Sequence, residues 1–101
     1  MVYIRTKTNQ VRHDVGVGNI AKQVVLAGWN FVRSDLRGNT KPPRINGFIP
    51  DVYVAHYGRQ RVIEVETTDS INTQHALQQK AAFQRWVNAS PTTRSFEIRL
   101  A

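Results

Sequence analysis

The stretch Pro50-Asp51-Val52-Tyr53-Val54-Ala55-His56-Tyr57-Gly58-Arg59-Gln60-Arg61-Val62-Ile63-Glu64-Val65-Glu66 decides the fold. Two runs rich in strand-forming residues, 51–57 and 60–68, meet around Gly58, which makes a β-hairpin the natural assignment. The first run opens on Pro-Asp and the second carries Glu-x-Glu. Side chains alternate along a strand, so Glu64 and Glu66 share one face, and Asp51 approaches them across the pair. Four of the seven acidic residues, Asp51, Glu64, Glu66 and Asp69, fall in one short window of an otherwise basic chain. Crowded like charges are unfavourable unless a cation offsets them. A shared Mg²⁺, or Mn²⁺ in its place, suits an all-oxygen donor set, with Asp51, Glu64 and Glu66 as its ligands. The plainer alternative is a set of solvated acids at a strand end.

Outward from the hairpin, helical spacing of Val17, Ile20, Ala21, Val24 and Ala27 predicts a helix over residues 14–27, with Asp14 as N-cap and Gly28 as the stop. Gly16 and Gly18 weaken its first turn. Residues 29–34 alternate as a strand, and 36–47, with Gly38, Pro42, Pro43 and Gly47, read as a loop carrying Arg37, Lys41 and Arg44. Ser70 or Asn72 caps a second helix that runs to about residue 88, with Leu77, Lys80, Phe83, Gln84 and Val87 along one side. Residues 95–100 form a last strand, and residues 2–8 a short strand or ordered arm.

A chain of 101 residues holds one core, so a minimal α/β unit in a single domain over 1–101 is expected. No apolar run approaches the roughly 20 residues that cross a bilayer. The first ten residues carry Arg5 and Lys7 without an apolar segment, unlike a secretory signal, and a cytoplasmic, intracellular protein that avoids membranes is expected. With no cysteine, disulfides, zinc-thiolate sites and cysteine nucleophiles are excluded. Fourteen Lys and Arg against seven Asp and Glu give a formal charge of +7, and ten of the fourteen cations are Arg. Arginine suits bidentate phosphate contacts, which points to nucleic acid as the partner, DNA in the first instance. Arg33, Arg37, Lys41, Arg44, Arg59 and Arg61 surround the acidic residues in sequence and are the expected phosphate contacts.

Pro50-Asp51 followed by Glu64-Val65-Glu66, inside the order helix, three strands, helix, strand, resembles the PD-(D/E)xK nuclease superfamily. The resemblance covers nearly the whole chain in element order. It implies a restriction-endonuclease-like αβββαβ core, a central mixed sheet flanked by helices, and Mg²⁺-dependent endonuclease activity. It also implies a glutamine on the second helix near the site, for which Gln79 is the choice, with His75 and Lys80 expected to face the acidic strand beside it. Two departures stand out. The family's lysine is replaced by Glu66, leaving Lys80 on the following helix to stabilise charge on the phosphate. The first helix, where many members carry a glutamate, offers only His13, Asp14 and Gln23. The expected catalytic set is Asp51, Glu64, Glu66, Lys80 and Gln79. Two sites acting on two strands would suit a homodimer, and a catalytically inactive nucleic-acid-binding module or complex subunit on the same fold is the alternative.

Overall fold

The computed structural model describes residues 7–101. Its elements run α1 (Lys7–Leu26), β1 (Phe31–Ser34), β2 (Val52–His56), β3 (Arg59–Glu66), α2 (Gln74–Ala89) and β4 (Arg94–Leu100). The four strands form one mixed sheet in the order β1-β2-β3-β4. The first two pairings are antiparallel and β3 pairs with β4 in parallel. A parallel neighbour requires a crossover, and α2 supplies it. The fold is therefore α/β, a mixed sheet with two helices. No helix among the described residues is long and apolar enough to cross a membrane.

Alternation along β3 divides the core in two. Ile63 and Val65 join Val17, Ile20 and Val24 of α1 with Val52 and Val54 of β2. Val62, facing the other way, packs with Ile45 and Phe83 of α2, and with the half-buried Trp86 and Phe96 around them. Trp86 and Phe83 are thus packing residues.

The first helix begins a full two turns before the expected start. Asp14 is not its N-cap; it lies inside the helix and accepts hydrogen bonds from Gln10 Nε2 at 2.8 Å and from His13 Nδ1 at 3.1 Å. The reason is packing: His13, Val17, Ile20 and Val24, at i, i+4, i+7 and i+11, are all buried, and the stripe begins at His13. Gly16 is what lets the stripe approach the sheet, since a Cβ there would stand 2.9 Å from Val65 Cγ1. The helix ends as a Schellman motif, with Trp29 N–H donating to Val24 O at 3.1 Å, Gly28 N–H to Val25 O at 3.1 Å, and Gly28 at φ +96°. The strand or arm expected over residues 2–8 lies outside the described residues as far as Thr6, and Lys7 and Thr8 open α1.

The cap of α2 is Thr73, whose hydroxyl accepts the Ala76 N–H at 3.2 Å, rather than Ser70 or Asn72. The buried side of α2 is Ala76, Ala82 and Phe83, whereas Leu77, expected there, is 55% exposed. Between β2 and β3 the chain turns on Tyr57 and Gly58, at φ +47° and +79°. Positive φ at both positions is the pattern of the type I′ turn, whose twist matches that of the strands it joins.

Candidate functional site

Pairing of Val52 with Ile63 makes Asp51 and Glu64 the next neighbours beyond the ladder, on the same face of the sheet. The two are locked to each other through the backbone. Asp51 N–H donates to Glu64 Oε1 at 2.9 Å, and Val65 N–H donates to Asp51 Oδ2 at 2.8 Å. Glu66 emerges two residues further on, and its Oε2 accepts the Ser70 hydroxyl at 2.5 Å. The turn after β3 is itself tied together: Ser70 Oγ accepts Thr67 N–H at 3.0 Å, and the Thr67 hydroxyl bonds Asp69. Thus Ser70, expected as a helix cap, is spent instead on fixing Glu66.

Glu64 and Glu66 are only 4% and 5% exposed. Burial, followed by the charge of Asp51 and then smaller contributions that include Glu66, pushes the Glu64 carboxyl well above its ordinary range. Three carboxylates, Asp51, Glu64 and Glu66, line one polar cavity of 200 Å³. Gln10 and His13 of α1 and His75 and Gln79 of α2 are among the other residues that line it. A neighbouring cavity of 400 Å³ shares Glu64, Glu66 and Gln79 and adds Lys80. The expected catalytic residues therefore gather at one end of the central strands, Lys80 one cavity over. His75 is exposed and lies edge-on to Phe48, ring centroids 5.8 Å apart.

His13, offered by the sequence at the start of the first helix but not placed in the expected catalytic set, also enters the site. Its Nε2 lies 3.1 Å from Asp51 Oδ1 and its Nδ1 3.1 Å from Asp14 Oδ1, and the residue is buried. An imidazolium, with two N–H donors, satisfies both contacts. It occupies the first-helix position facing the strand carboxylates, and the signal for it was the helical stripe that it begins.

The basic residues divide. Arg37, Lys41 and Arg44 are exposed on the β1–β2 loop, which leaves the sheet beside the carboxylates, where Asp35 N–H donates to Asp51 O at 2.8 Å. Lys41 is held by Asp35 at 3.1 Å and Arg44 by Gly47 O at 3.2 Å. Arg33, on β1, stacks 4.3 Å over the ring of Phe31. Arg59 and Arg61 stand at the opposite end of β3; at about 3.3 Å per residue, the five steps from Arg61 to Glu66 span about 16 Å. Their side chains also point to the other face.

Among the described residues, no three His, Asp or Glu side chains already converge on a point that would hold a metal ion. The donor chemistry nevertheless fits a hard divalent cation, because Mg²⁺ usually keeps several waters and takes only one or two protein carboxylates beside substrate phosphates. Asp51 and Glu64 are such a pair. Compared with models of protein families, with curated proteins and with solved structures, the chain matches none.

Proposed function

We propose that the chain is a metal-dependent nuclease of the restriction-endonuclease-like kind, hydrolysing phosphodiester bonds in DNA. The observation that carries the proposal is the buried Glu64 carboxyl, locked beside that of Asp51 on the wall of a polar cavity that Glu66 and Gln79 also line. A buried pair of like charges is costly as it stands, and a cation bound between them removes the cost. The order α1, β1, β2, β3, α2, β4 and the positions of Pro50-Asp51 and Glu64-Val65-Glu66 within it support the same reading.

Asp51 and Glu64 would hold the metal, which when bound supplies Lewis-acid activation of phosphate and water. The side chains around it have separable tasks. His13 and the Val65 N–H orient the Asp51 carboxylate. Glu66, fixed by Ser70, positions the attacking water or takes its proton. Lys80 offsets charge on the phosphate in place of the lysine that Glu66 displaces, and Gln79 orients the strand between them. Arg33, Arg37, Lys41 and Arg44 neutralise backbone phosphates that the carboxylates would otherwise repel.

A binding module without catalysis is favoured by one feature: both oxygens of Asp51 are already engaged by protein donors. Supercoiled plasmid with Mg²⁺ or Mn²⁺ separates the two. Hydrolysis predicts nicking that Asp51→Asn abolishes with the circular dichroism spectrum unchanged. Nicking by the variant at the wild-type rate removes Asp51 from the mechanism, and salt-sensitive DNA binding without nicking establishes the binding module.

A further inference from the structure

At the end of the sheet remote from the carboxylates, the turn that follows α1, the β2–β3 hairpin and the segment leading into β4 line a polar cavity of 580 Å³. Arg59 and Arg61 line it from one face of the sheet, and Arg94, across the strand pair from Gln60, lines it from the other. Its lining contains no Asp or Glu. Two of the three guanidinium groups are held in place without being neutralised. Arg61 donates from Nε to Ser95 Oγ at 3.1 Å and lies 5.2 Å over the ring of Trp29, leaving both terminal nitrogens of its fork to the cavity. Arg94 donates to Trp86 O at 3.0 Å and stacks 4.9 Å over the Trp86 ring. Among the described residues, none of the three has a carboxylate partner: Lys41 takes Asp35, Arg99 takes Glu97, and His13 takes Asp14 and Asp51. His56, on the same wall, carries a buried Nδ1 with no hydrogen-bond partner.

Three like charges gathered around one cavity repel one another, and stacking on tryptophan holds two of them in place against that repulsion. Such a set, in which Arg61 keeps both terminal nitrogens without a protein acceptor while Arg94 commits Nη1 to Trp86 O, is complementary to a tetrahedral dianion or a phosphodiester. We propose that this cavity is a phosphate-binding site, separate from the carboxylate cavity and independent of any metal. Its size lies within the roughly 300–1,000 Å³ of small-molecule pockets, so it accommodates a phosphate with a nucleoside attached. The phosphate belongs to a nucleic-acid strand or to a free nucleotide. Either way it binds about 16 Å along β3 from Glu66, counted at about 3.3 Å per residue.

Trp29 lines the cavity and reports on it. Its fluorescence is titrated, in chelator, with inorganic phosphate, with adenosine monophosphate and with a short single-stranded oligonucleotide lacking terminal phosphates, using the whole chain. A saturable response to any of the three, weakened tenfold or more by Arg59→Ala and by Arg61→Gln and unchanged by Asp51→Asn, is the expected result. Response to the oligonucleotide alone assigns the site to backbone phosphates. Response to the mononucleotide or to inorganic phosphate assigns it to a free phosphorylated molecule. Arg59 is exposed at the hairpin, so Arg59→Ala keeps the fold, and Arg61→Lys, which keeps the charge but not the fork, recovers only part of the affinity. No response from the wild-type protein, or equal affinity in folded Arg59→Ala and Arg61→Gln, overturns the site. Because Asp51→Asn is silent here and decisive in plasmid nicking, loss of one function does not imply loss of the other.

Discussion

The two ends of β3 carry opposite charge and solve the crowding of like charges in opposite ways. At the Glu64–Glu66 end the protein supplies its own donors: His13 and the Val65 N–H to Asp51, the Asp51 N–H to Glu64, Ser70 to Glu66. Only a small cation is wanted to complete the offset. At the Arg59–Arg61 end the protein supplies aromatic surfaces and single hydroxyl or carbonyl acceptors, and no carboxylate. Completion there needs an outside anion. A cluster of charge points to a ligand only once its internal compensation has been subtracted, and the basic end retains the larger remainder.

The sharpest way to break this contrast is Glu64→Gln, which keeps the shape of the side chain and removes the buried charge. Plasmid nicking should fall by about 100-fold or more, the range seen on removing one electrostatic group from an active centre. Its effect on phosphate binding at the basic end should be nil, and a parallel loss at both ends would collapse the distinction.

The same variant probes the pH dependence. Glu64 binds its proton more tightly folded than unfolded, so its contribution to stability is fully present below its ordinary value of 4.5 and is lost as pH rises through the raised folded value. In chelator the melting temperature should therefore decline as pH rises above about that point, Mg²⁺ should restore it near neutrality, and Glu64→Gln should flatten both responses. Thermal melts across pH, with and without metal, read this directly.

Arg59→Ala and Arg61→Gln test the other end through DNA affinity. Each should weaken binding about tenfold and reduce the steepness of its salt dependence by about one contact in a log–log plot of affinity against salt. Unchanged slopes would show that DNA passes this end by.

Smaller effects concern how the acidic end is held. Gly16→Ala places a methyl 2.9 Å from Val65 Cγ1 and 3.2 Å from Ala101 Cβ, and should destabilise by about 1 kcal/mol net, since overpacking outweighs the gain in helix propensity. Gly18→Ala, whose nearest neighbour would be Leu36 Cδ1 at 3.9 Å, should stabilise by up to about 1 kcal/mol. Removing the α2 cap with Thr73→Ala should cost about 1 kcal/mol and loosen the helix that presents Gln79. Urea titrations rank all three.

Much of this was legible in the chain. The hairpin, the shared face of Glu64 and Glu66, and the approach of Asp51 follow from alternation and a turn at Gly58, which local chemistry fixes. The start of α1 was not. Gly16 and Gly18 argue against a helix on propensity, and Asp14 resembles a cap, so the helix reads as shorter than it is and His13 stands at its very start, without a role in the packed stripe. Gly16 is there for contact with Val65, a relation between distant residues that propensity does not contain. Distance along an extended strand misled in a different way. Arg59 and Arg61 stand close to Glu64 in number, yet a strand advances about 3.3 Å per residue and alternates faces, so proximity in sequence became separation in space.

The bend at Tyr57 and Gly58 has a consequence larger than its size. It sets the register in which His56 faces Arg59 and Val52 faces Ile63. Pairing shifted by one position would reverse the outlook of every β3 side chain, sending Ile63 and Val65 out of their core and lifting Glu64 away from Asp51. Two residues with an uncommon backbone twist thus decide which way the whole polar strand is worn.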